Sequence, residues 1–271
     1  MKFAICNETF QGWKIEDVFH AAKEIGYDGV EIAPFTLADS VEEITPARRR
    51  EIVQSAADSG IEVVGLHWLL VKPEGLYINP PDADVRRRTR DYLDALIRFC
   101  GDLGGRVLIF GSPKQRSVHP DLTYDQAWGY ACETFAHCAD TAAEVGAYLC
   151  IEALARRETD FVNTVTDALR MVREVGKPHF RTMIDTKAIS DDGRPLPEII
   201  EEADGMAMHV HVNDASGRGP GAGGTDFVEI ARALKKIAYD GYCSVEVFDY
   251  EPDPVTIARD SLAYLRTVFG P

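Results

Sequence analysis

The feature that most constrains the fold is a regular alternation of short apolar runs with longer amphipathic stretches. The runs are Phe3–Cys6, Gly29–Ile32, Ile61–His67, Arg106–Phe110, Ala147–Glu152, Phe180–Asp185, Met206–Val212 and Tyr242–Phe248. Each run has the length and composition of a buried parallel strand. Between them, stretches such as Ile15–Ile25, Ala83–Leu103, Tyr124–Val145 and Phe161–Val175 place apolar residues at helical spacing. The sequence therefore predicts a strand followed by a helix, repeated about eight times.

This repeat predicts the fold class. Strands that alternate with helices form parallel sheets, and about eight units in roughly 250 residues are typical of a closed (β/α)8 TIM barrel. The chain has 271 residues, of which 45% are hydrophobic, which is enough for such a core. We expect residues 1–271 to form one TIM-barrel domain, with a doubly wound open sheet as the alternative. Glycines between helix and strand, at positions 26, 60, 146 and 241, are expected to close helices in the left-handed conformation.

The net charge and the cysteine content of the chain indicate which partners it can bind and in which cellular compartment it lies. A formal net charge of -15 repels phosphate backbones and anionic membranes, so we expect neither nucleic acid nor membrane as a partner. The arginine runs at 48–50 and 86–88 lie in helical patterns and are interpreted as solvated helix faces. The six cysteines form no C-x-x-C pair, which favours reduced thiols. With no secretory signal layout and no apolar run near the ~20 residues of a membrane span, we expect a cytoplasmic protein.

Four ionisable residues stand at or near the ends of four consecutive predicted strands. Glu152 ends the fifth run, Asp185 ends the sixth, His211 comes late in the seventh and Glu246 late in the eighth. In a TIM barrel, groups at the carboxyl ends of the strands face one common pocket. We therefore expect these four side chains to converge.

Such a convergence predicts a metal site. Three carboxylates packed together without a cation repel one another, whereas a divalent ion stabilises their ionised forms. Three carboxylates with one imidazole favour a single Mn²⁺ ion, or Mg²⁺ or Co²⁺, over a structural zinc. The competing interpretation is that each acid caps a neighbouring helix or forms a surface ion pair. Four such groups at successive strand ends favour the metal site.

The same residues lie in motifs that resemble those of the D-tagatose 3-epimerase-like ketose 3-epimerases, in the xylose-isomerase-like TIM-barrel superfamily. The matching segments, in order, are Gly26–Glu31, Leu149–Glu158, Met183–Thr186, His209–Asp214 with Arg218–Gly221, and Gly241–Glu246. The resemblance runs through most of the chain. The four candidate ligands are specific to the superfamily more than to the epimerases.

The resemblance implies a metal-dependent isomerase that inverts C3 of a ketose or keto-sugar. The metal would chelate two adjacent sugar oxygens, polarise the carbonyl and acidify the neighbouring C–H. Glu152 and Glu246, on opposite faces of the sugar, would remove the C3 proton and return one from the other side through an enediolate. Asp185 and His211 would be ligands only.

Substrate contacts follow partly from the resemblance and partly from position. The resemblance implies that Glu158 and Arg218 hold substrate hydroxyls. Members of that family usually carry a substrate-contacting histidine just after the aspartate strand, where this chain has Lys187. Lys187 either binds a keto group, carboxylate or phosphate in its place or points into solvent. His67 ends the third run and is expected to contact substrate or support the site.

Several residues keep two interpretations. Glu31 ends the second run, and lining the pocket from the wall opposite the four ligands is one of two equally weighted interpretations of it. His209 shares one face of its strand with His211 and is either a satisfied core residue or a group that orients a ligand. Ser112-Pro113-Lys114 after the fourth run offers a further polar or cationic contact. The aromatic residues of Asn7–Trp13 form either a pocket wall or a dimer contact.

Other reaction classes are compatible with the same constellation. The main alternative is a lyase or dehydratase acting on a keto-sugar or keto-inositol, in which the same enediolate expels a leaving group. An endonuclease-IV-like nuclease would need several more histidines, and the fourth run ends in Phe110. A non-catalytic module would bind ligand without turnover. We expect a carbohydrate substrate and a homo-oligomer, dimer or tetramer, while the sugar and its phosphorylation stay open.

Overall fold

Eight parallel strands pair in sequence order and close into a barrel in the computed structural model, which describes residues 1–270. They are β1 (Lys2–Cys6), β2 (Gly29–Ile32), β3 (Glu62–Leu66), β4 (Val107–Phe110), β5 (Tyr148–Ile151), β6 (Phe180–Asp185), β7 (Ala207–Val212) and β8 (Tyr242–Val245). Pairing of β1 with β8, which sets Phe3 beside Cys243, closes the ring. The predicted (β/α)8 barrel is confirmed, and the open-sheet alternative is wrong.

A helix follows each strand. The helices are α1 (Ile15–Ile25), α2 (Pro46–Ser59), α3 (Ala83–Asp102), α4 (Tyr124–Val145), α5 (Val165–Val175), α6 (Leu196–Glu202), α7 (Phe227–Lys236) and α8 (Pro254–Phe269). The predicted bounds of the first and fourth helices match residue for residue. The helix predicted from Phe161 instead begins at Val165, because Thr164 caps it by accepting the Asp167 backbone N–H at 3.0 Å.

Side-chain alternation along the strands divides the apolar residues into two layers. Outward-facing strand residues such as Phe3, Ile5 and Phe110 pack with the helices in one large core. The residues at intervening positions form a smaller cluster of Ala4, Val64, Val107, Ile109, Cys150 and Met183. This cluster fills the barrel interior, as alternate strand positions do in TIM barrels. The barrel is therefore packed below its carboxyl end, and the polar site lies above that packing.

Three of the four expected glycine caps are found. They are Gly26, Gly60 and Gly146, with positive φ angles of 110°, 68° and 71°. The prediction for Gly241 is wrong, because the left-handed residue after α7 is Ala238, with a φ of 51°. Gly241 serves close packing instead: a Cβ at this position would lie 2.5 Å from the hydroxyl oxygen of Tyr239.

The surface arginines and the cysteines lie where the sequence predicted them. The run at 48–50 is in α2, where Arg48 pairs with Glu16 and Glu51, and the run at 86–88 is in α3. All six cysteines are free thiols, and five of them are buried. Among residues 1–270, no helix combines the length and the apolar character needed to cross a membrane.

Candidate active site

Four ionisable side chains from consecutive strands meet at the carboxyl end of the barrel. Glu152 directly follows β5, Asp185 ends β6, His211 is the last residue but one of β7, and Glu246 directly follows β8. One ligand atom from each of the four lies within 4.8 Å of the others, and all four residues are buried. We call these four residues the tetrad. The structure thus brings together the complete set of residues that the sequence predicted as ligands.

The imidazole of His211 presents its two nitrogens to opposite sides. Its Nε2 lies 3.2 Å from both carboxylate oxygens of Glu31. Its Nδ1 lies 3.3 Å from Glu246 Oε2 and 3.8 Å from Asp185 Oδ2, yet makes no hydrogen bond. A buried ring nitrogen that faces carboxylate oxygens without bonding them fits a shared cation, and a carboxylate behind the ring is the usual partner of a metal-binding histidine.

Glu31 is the shared anchor of two histidines and lies completely buried. Besides its contacts with His211, its Oε2 lies 2.7 Å from His209 Nε2. Burial acts to raise the pKa of Glu31, but His209 and His211 outweigh it and hold the pKa well below the usual range. The carboxylate is therefore ionised. Of the two interpretations of His209, the structure favours the one that orients a ligand, through Glu31.

Asn213 connects two of the tetrad carboxylates and was not predicted from the sequence. Its Nδ2 donates to Asp185 Oδ2 at 2.9 Å and to Glu246 Oε2 at 3.4 Å. The backbone N–H of Ala188 donates to the other Asp185 oxygen at 2.6 Å. The available signal was its spacing, because Asn213 follows His211 by two residues and so shares its face of the chain.

The carboxylates of the tetrad carry an electrostatic cost that a cation would relieve. Burial raises the pKa of Glu152 well above its usual range, and Asp185 and Glu246 raise it further. Burial also raises the pKa of Glu246, although the neighbouring His211 partly offsets this. Burial opposes charge on His211, but Glu31 and Glu246 outweigh it and raise its pKa well above its usual range. The donor set therefore fits a divalent cation.

The tetrad opens into a cleft with about 420 Å³ of empty space. The wall includes Glu158 and Lys187, and the Lys187 ammonium lies 2.8 Å from Glu158 Oε1 and 4.2 Å above the ring of Phe248. Only 12% of the Lys187 side chain is exposed. Of the two interpretations of Lys187, the structure favours the pocket residue over the solvated one.

His67 also lines the cleft, and its partner is a residue that the sequence did not single out. His67 Nε2 lies 2.8 Å from Glu8 Oε2, and both side chains are buried. Burial opposes charge on this imidazole, but Glu8 outweighs it and raises the pKa of His67 to about 9. At neutral pH the cleft therefore carries an imidazolium on the wall formed by β3.

Arg218 is the one predicted substrate contact that does not line this cleft. Its Nε donates to Asp249 at 3.0 Å, and 56% of its side chain is exposed. It lies in a separate hollow beside Gly219 and Tyr264. The structure therefore does not bring Arg218 together with the tetrad.

Arg116 is a third residue that the sequence did not predict, and it contacts the backbone of Glu152. Its side chain is fully buried, and its guanidinium donates to the backbone carbonyls of Glu152 and Phe110. Burial lowers the pKa of Arg116 to about 10, which leaves the group charged at neutral pH. The sequence pointed instead to the neighbouring Lys114, which is exposed.

Comparisons with known proteins agree with this geometry. A family model described as xylose isomerase-like TIM barrel matches residues 19–268. A 3-dehydro-D-guloside 4-epimerase of Escherichia coli (strain K12) is 25% identical over 277 residues, which cover 98% of this chain and 100% of that protein. A D-psicose 3-epimerase of Agrobacterium fabrum is 27% identical over 228 residues, or 83% of this chain and 76% of that protein. These relatives bear out the resemblance to sugar epimerases that the motifs carry.

Solved structures show the same fold. A D-psicose 3-epimerase from Clostridium cellulolyticum H10, crystallised with D-tagatose, superposes with a TM-score of 0.88 at 20% identity and covers 99% of both chains. A 3-keto-D-glucoside 4-epimerase from E. coli gives a TM-score of 0.86 at 22% identity, covering 98% of this chain and 99% of the other. At 20% and 22% sequence identity, these superpositions show that the fold is the same.

Proposed function

The chain belongs to the xylose isomerase-like TIM-barrel family, and from this premise we propose that it is a divalent-metal-dependent sugar epimerase. It is an enzyme of the isomerase class that resembles the ketose 3-epimerases. The observation that carries the proposal is the buried tetrad, which sets two carboxylates from β5 and β8 at the floor of one cleft.

The tetrad would hold one divalent cation, for which Mn²⁺ is our first choice and Mg²⁺ or Co²⁺ the alternatives. The support is a donor set of three carboxylates and one imidazole, together with the His211 nitrogen that faces them without a hydrogen bond. When bound, the metal would polarise the substrate carbonyl and acidify the C–H next to it. Asp185 and His211 serve only to hold it in this proposal.

Glu152 and Glu246 move the proton. One carboxylate takes the proton from the carbon next to the carbonyl, and the electron pair left behind moves into an enediolate. The other carboxylate, already protonated, returns a proton to the opposite face, which inverts that carbon. We propose C3 of a ketose or keto-sugar as this carbon. The 4-epimerase relative has a keto group at position 3 according to its name, so its inverted carbon is also next to a carbonyl.

The remaining walls would hold the sugar. We propose that Lys187 and Glu158 together bind a hydroxyl or keto oxygen, because the pair offers both a donor and an acceptor on one wall of the cleft. The His67 imidazolium would donate a second hydrogen bond. Arg218 would have to leave Asp249 before it could join them.

Compartment and assembly complete the proposal. We propose a cytoplasmic enzyme, for which the support is six free thiols without a disulfide. We also propose a homo-oligomer, dimer or tetramer, which light scattering on the purified protein would test.

The deciding experiment is exchange in deuterated water. The protein would be incubated with Mn²⁺ and a panel of ketoses and 3-keto-glycosides in D₂O, and the products analysed by NMR and mass spectrometry. We expect deuterium at the inverted carbon of an intact sugar, at C3 for ketoses. Loss of water or of an aglycone would instead indicate the lyase, and the absence of both would contradict the proposal. Glu246→Gln should abolish exchange, whereas Glu42→Gln at an exposed surface position should not.

A further inference from the structure

The segment from Gly111 to Arg116 packs against Glu152, from the wall of the cleft at Gly111 to the buried Arg116. A Cβ at Gly111 would lie 2.1 Å from Glu152 Oε2, so the carboxylate occupies the space that a side chain would fill. At the other end of the segment, Arg116 Nη1 donates to the Glu152 carbonyl at 2.6 Å, and Nη2 donates to the Phe110 carbonyl. The segment therefore touches both the carboxylate and the backbone of the same residue.

The Arg116 fork joins the ends of two adjacent strands. Phe110 is the last residue of β4, and Glu152 is the first residue beyond β5. The Phe110 carbonyl already accepts the Glu152 backbone N–H at 3.2 Å, and the Arg116 guanidinium bonds this carbonyl a second time together with the Glu152 carbonyl. A planar guanidinium can bond both at fixed spacing, whereas a lysine ammonium on a flexible stem cannot hold two acceptors in one fixed geometry.

A buried cation is an expensive way to satisfy two carbonyls. The Arg116 side chain is fully buried, makes no hydrogen bond to a carboxylate, and leaves its Nε unpartnered. Neutral side chains or water cap carbonyls at lower desolvation cost. The Arg116 guanidinium does not line the cleft. From its buried position it attracts the Glu152 carboxylate without occupying space that a substrate would need.

Arg116 is itself fixed by its neighbours. The amide of Asn79, which is also buried, donates to the Arg116 carbonyl at 2.7 Å. One residue earlier, the Gln115 carbonyl accepts the backbone N–H of Ile78 at 3.0 Å. The loop before α3 therefore fixes Gln115 and Arg116 through Ile78 and Asn79.

We propose that Arg116 is a positioning residue for Glu152: its guanidinium fork fixes the Glu152 backbone at the junction of β4 and β5 and thereby aims the carboxylate into the tetrad. The inference rests on the proposed function, with the metal site behind its binding readout and the epimerase activity behind its kinetic readout. Its structural consequence, a correctly placed ligand oxygen, is measurable without any sugar.

The test uses Arg116→Lys, which keeps the charge and loses the fork. Arg49→Lys is the matched control, because Arg49 also bonds two backbone carbonyls, those of Ile44 and Val41, on the outside of the barrel. The folded fraction is taken from thermal melts, the Mn²⁺ affinity from calorimetry and the metal environment from the Mn²⁺ EPR spectrum. We expect R116K to bind Mn²⁺ about 10- to 100-fold more weakly with an altered spectrum, as for other residues that orient metal ligands.

Kinetics supply the second readout. We expect kcat per folded R116K molecule to fall about 100-fold, as for a misplacement of about 1 Å, with KM changed far less, because Arg116 does not line the cleft. R49K should keep the wild-type Mn²⁺ affinity, spectrum and kcat even if its melting temperature falls. Folded R116K with wild-type Mn²⁺ binding overturns the inference. This result is readable even if the wild-type protein epimerises no sugar, so the two proposals fail separately.

If R116K does not fold, Asn79→Ala provides the test. It leaves the cation in place and removes the hydrogen bond to the Arg116 carbonyl. A smaller loss in Mn²⁺ affinity and kcat, with KM preserved, supports the inference. If folded N79A keeps the wild-type Mn²⁺ affinity and the wild-type kcat, the inference is overturned.

Discussion

At the scale of single residues, three positions outside the tetrad contact its side chains or make room for them. Glu31 contacts two histidines, Asn213 contacts two carboxylates, and Gly111 leaves room for a third carboxylate. None of them lies at a position that the motifs identify as a ligand. We expect their contribution to be orientation, since a ligand atom displaced by a fraction of an ångström no longer shares one centre with the others.

The role of Glu31 can be tested by Glu31→Gln. The amide keeps the shape but removes the charge that orients His211, so Mn²⁺ affinity should fall about 10- to 100-fold. Calorimetric titration of the metal-free protein measures this. Glu62→Gln, at an exposed carboxylate of β3 paired with Lys2, is the control and should leave the affinity unchanged. Equal affinities for E31Q and wild type would show that Glu31 does not orient the ligand.

Gly111→Ala tests the space beside Glu152. The backbone at Gly111 does not lie in the left-handed region, so alanine is compatible with it, but its Cβ would displace the Glu152 carboxylate. We expect kcat to fall about 100-fold with little change in melting temperature. Gly224→Ala, at a loop glycine with nothing within 4 Å, is the matched control. If kcat is unchanged in G111A, displacing the Glu152 carboxylate does not slow the reaction. This result would contradict the proposal that Glu152 transfers the proton.

At the scale of elements, local signals define the helices that surround the site. In α4, the Thr123 hydroxyl accepts the Gln126 backbone N–H, and the Gln126 side chain accepts the Thr123 backbone N–H in return. Such a capping box satisfies two donors at the start of a helix. The helix begins and ends where the sequence predicted, because both of its end signals are local: this box and the left-handed Gly146.

Two substitutions in α4 should act in opposite directions. Thr123→Ala removes the cap and should lower the free energy of unfolding by about 1 kcal/mol. Gly129→Ala, in the middle of the helix with open space around its Cβ, should raise it by roughly 0.5–1 kcal/mol. Denaturant unfolding measures both, and the two variants control for each other. A stabilising T123A or a destabilising G129A would contradict this account of the helix.

At the scale of the whole molecule, closure of the barrel couples the site to folding. The tetrad comes from four strands between residues 148 and 246, and Glu31 reaches it from β2 across the barrel interior. No ligand set exists in the unfolded chain, so a metal bound to the tetrad adds its binding free energy to the stability of the folded state.

Metal removal should therefore lower the melting temperature of the wild-type protein. With free Mn²⁺ at 100 times its Kd, the stabilisation is about 2.7 kcal/mol by mass action. Scanning calorimetry with Mn²⁺ and with a chelator measures the difference. Asp185→Asn, which weakens the tetrad, should show little or no dependence on Mn²⁺. A wild-type melting temperature that is the same with Mn²⁺ and with chelator would contradict the metal site.

The sequence by itself determined the barrel, the order and approximate positions of its strands, and the four converging residues. These follow from periodicity and from the rule that parallel strands end on one face, and both are properties of local sequence. Only the tertiary structure decided that Lys187 lies in the cleft and that Arg218 is paired with Asp249 outside it. It also decided that Arg116 contacts Glu152, that Glu31 contacts His209, and that Glu8 contacts His67. The physical reason is that each of these contacts joins residues between 29 and 178 positions apart. No spacing rule relates such residues before the barrel has closed.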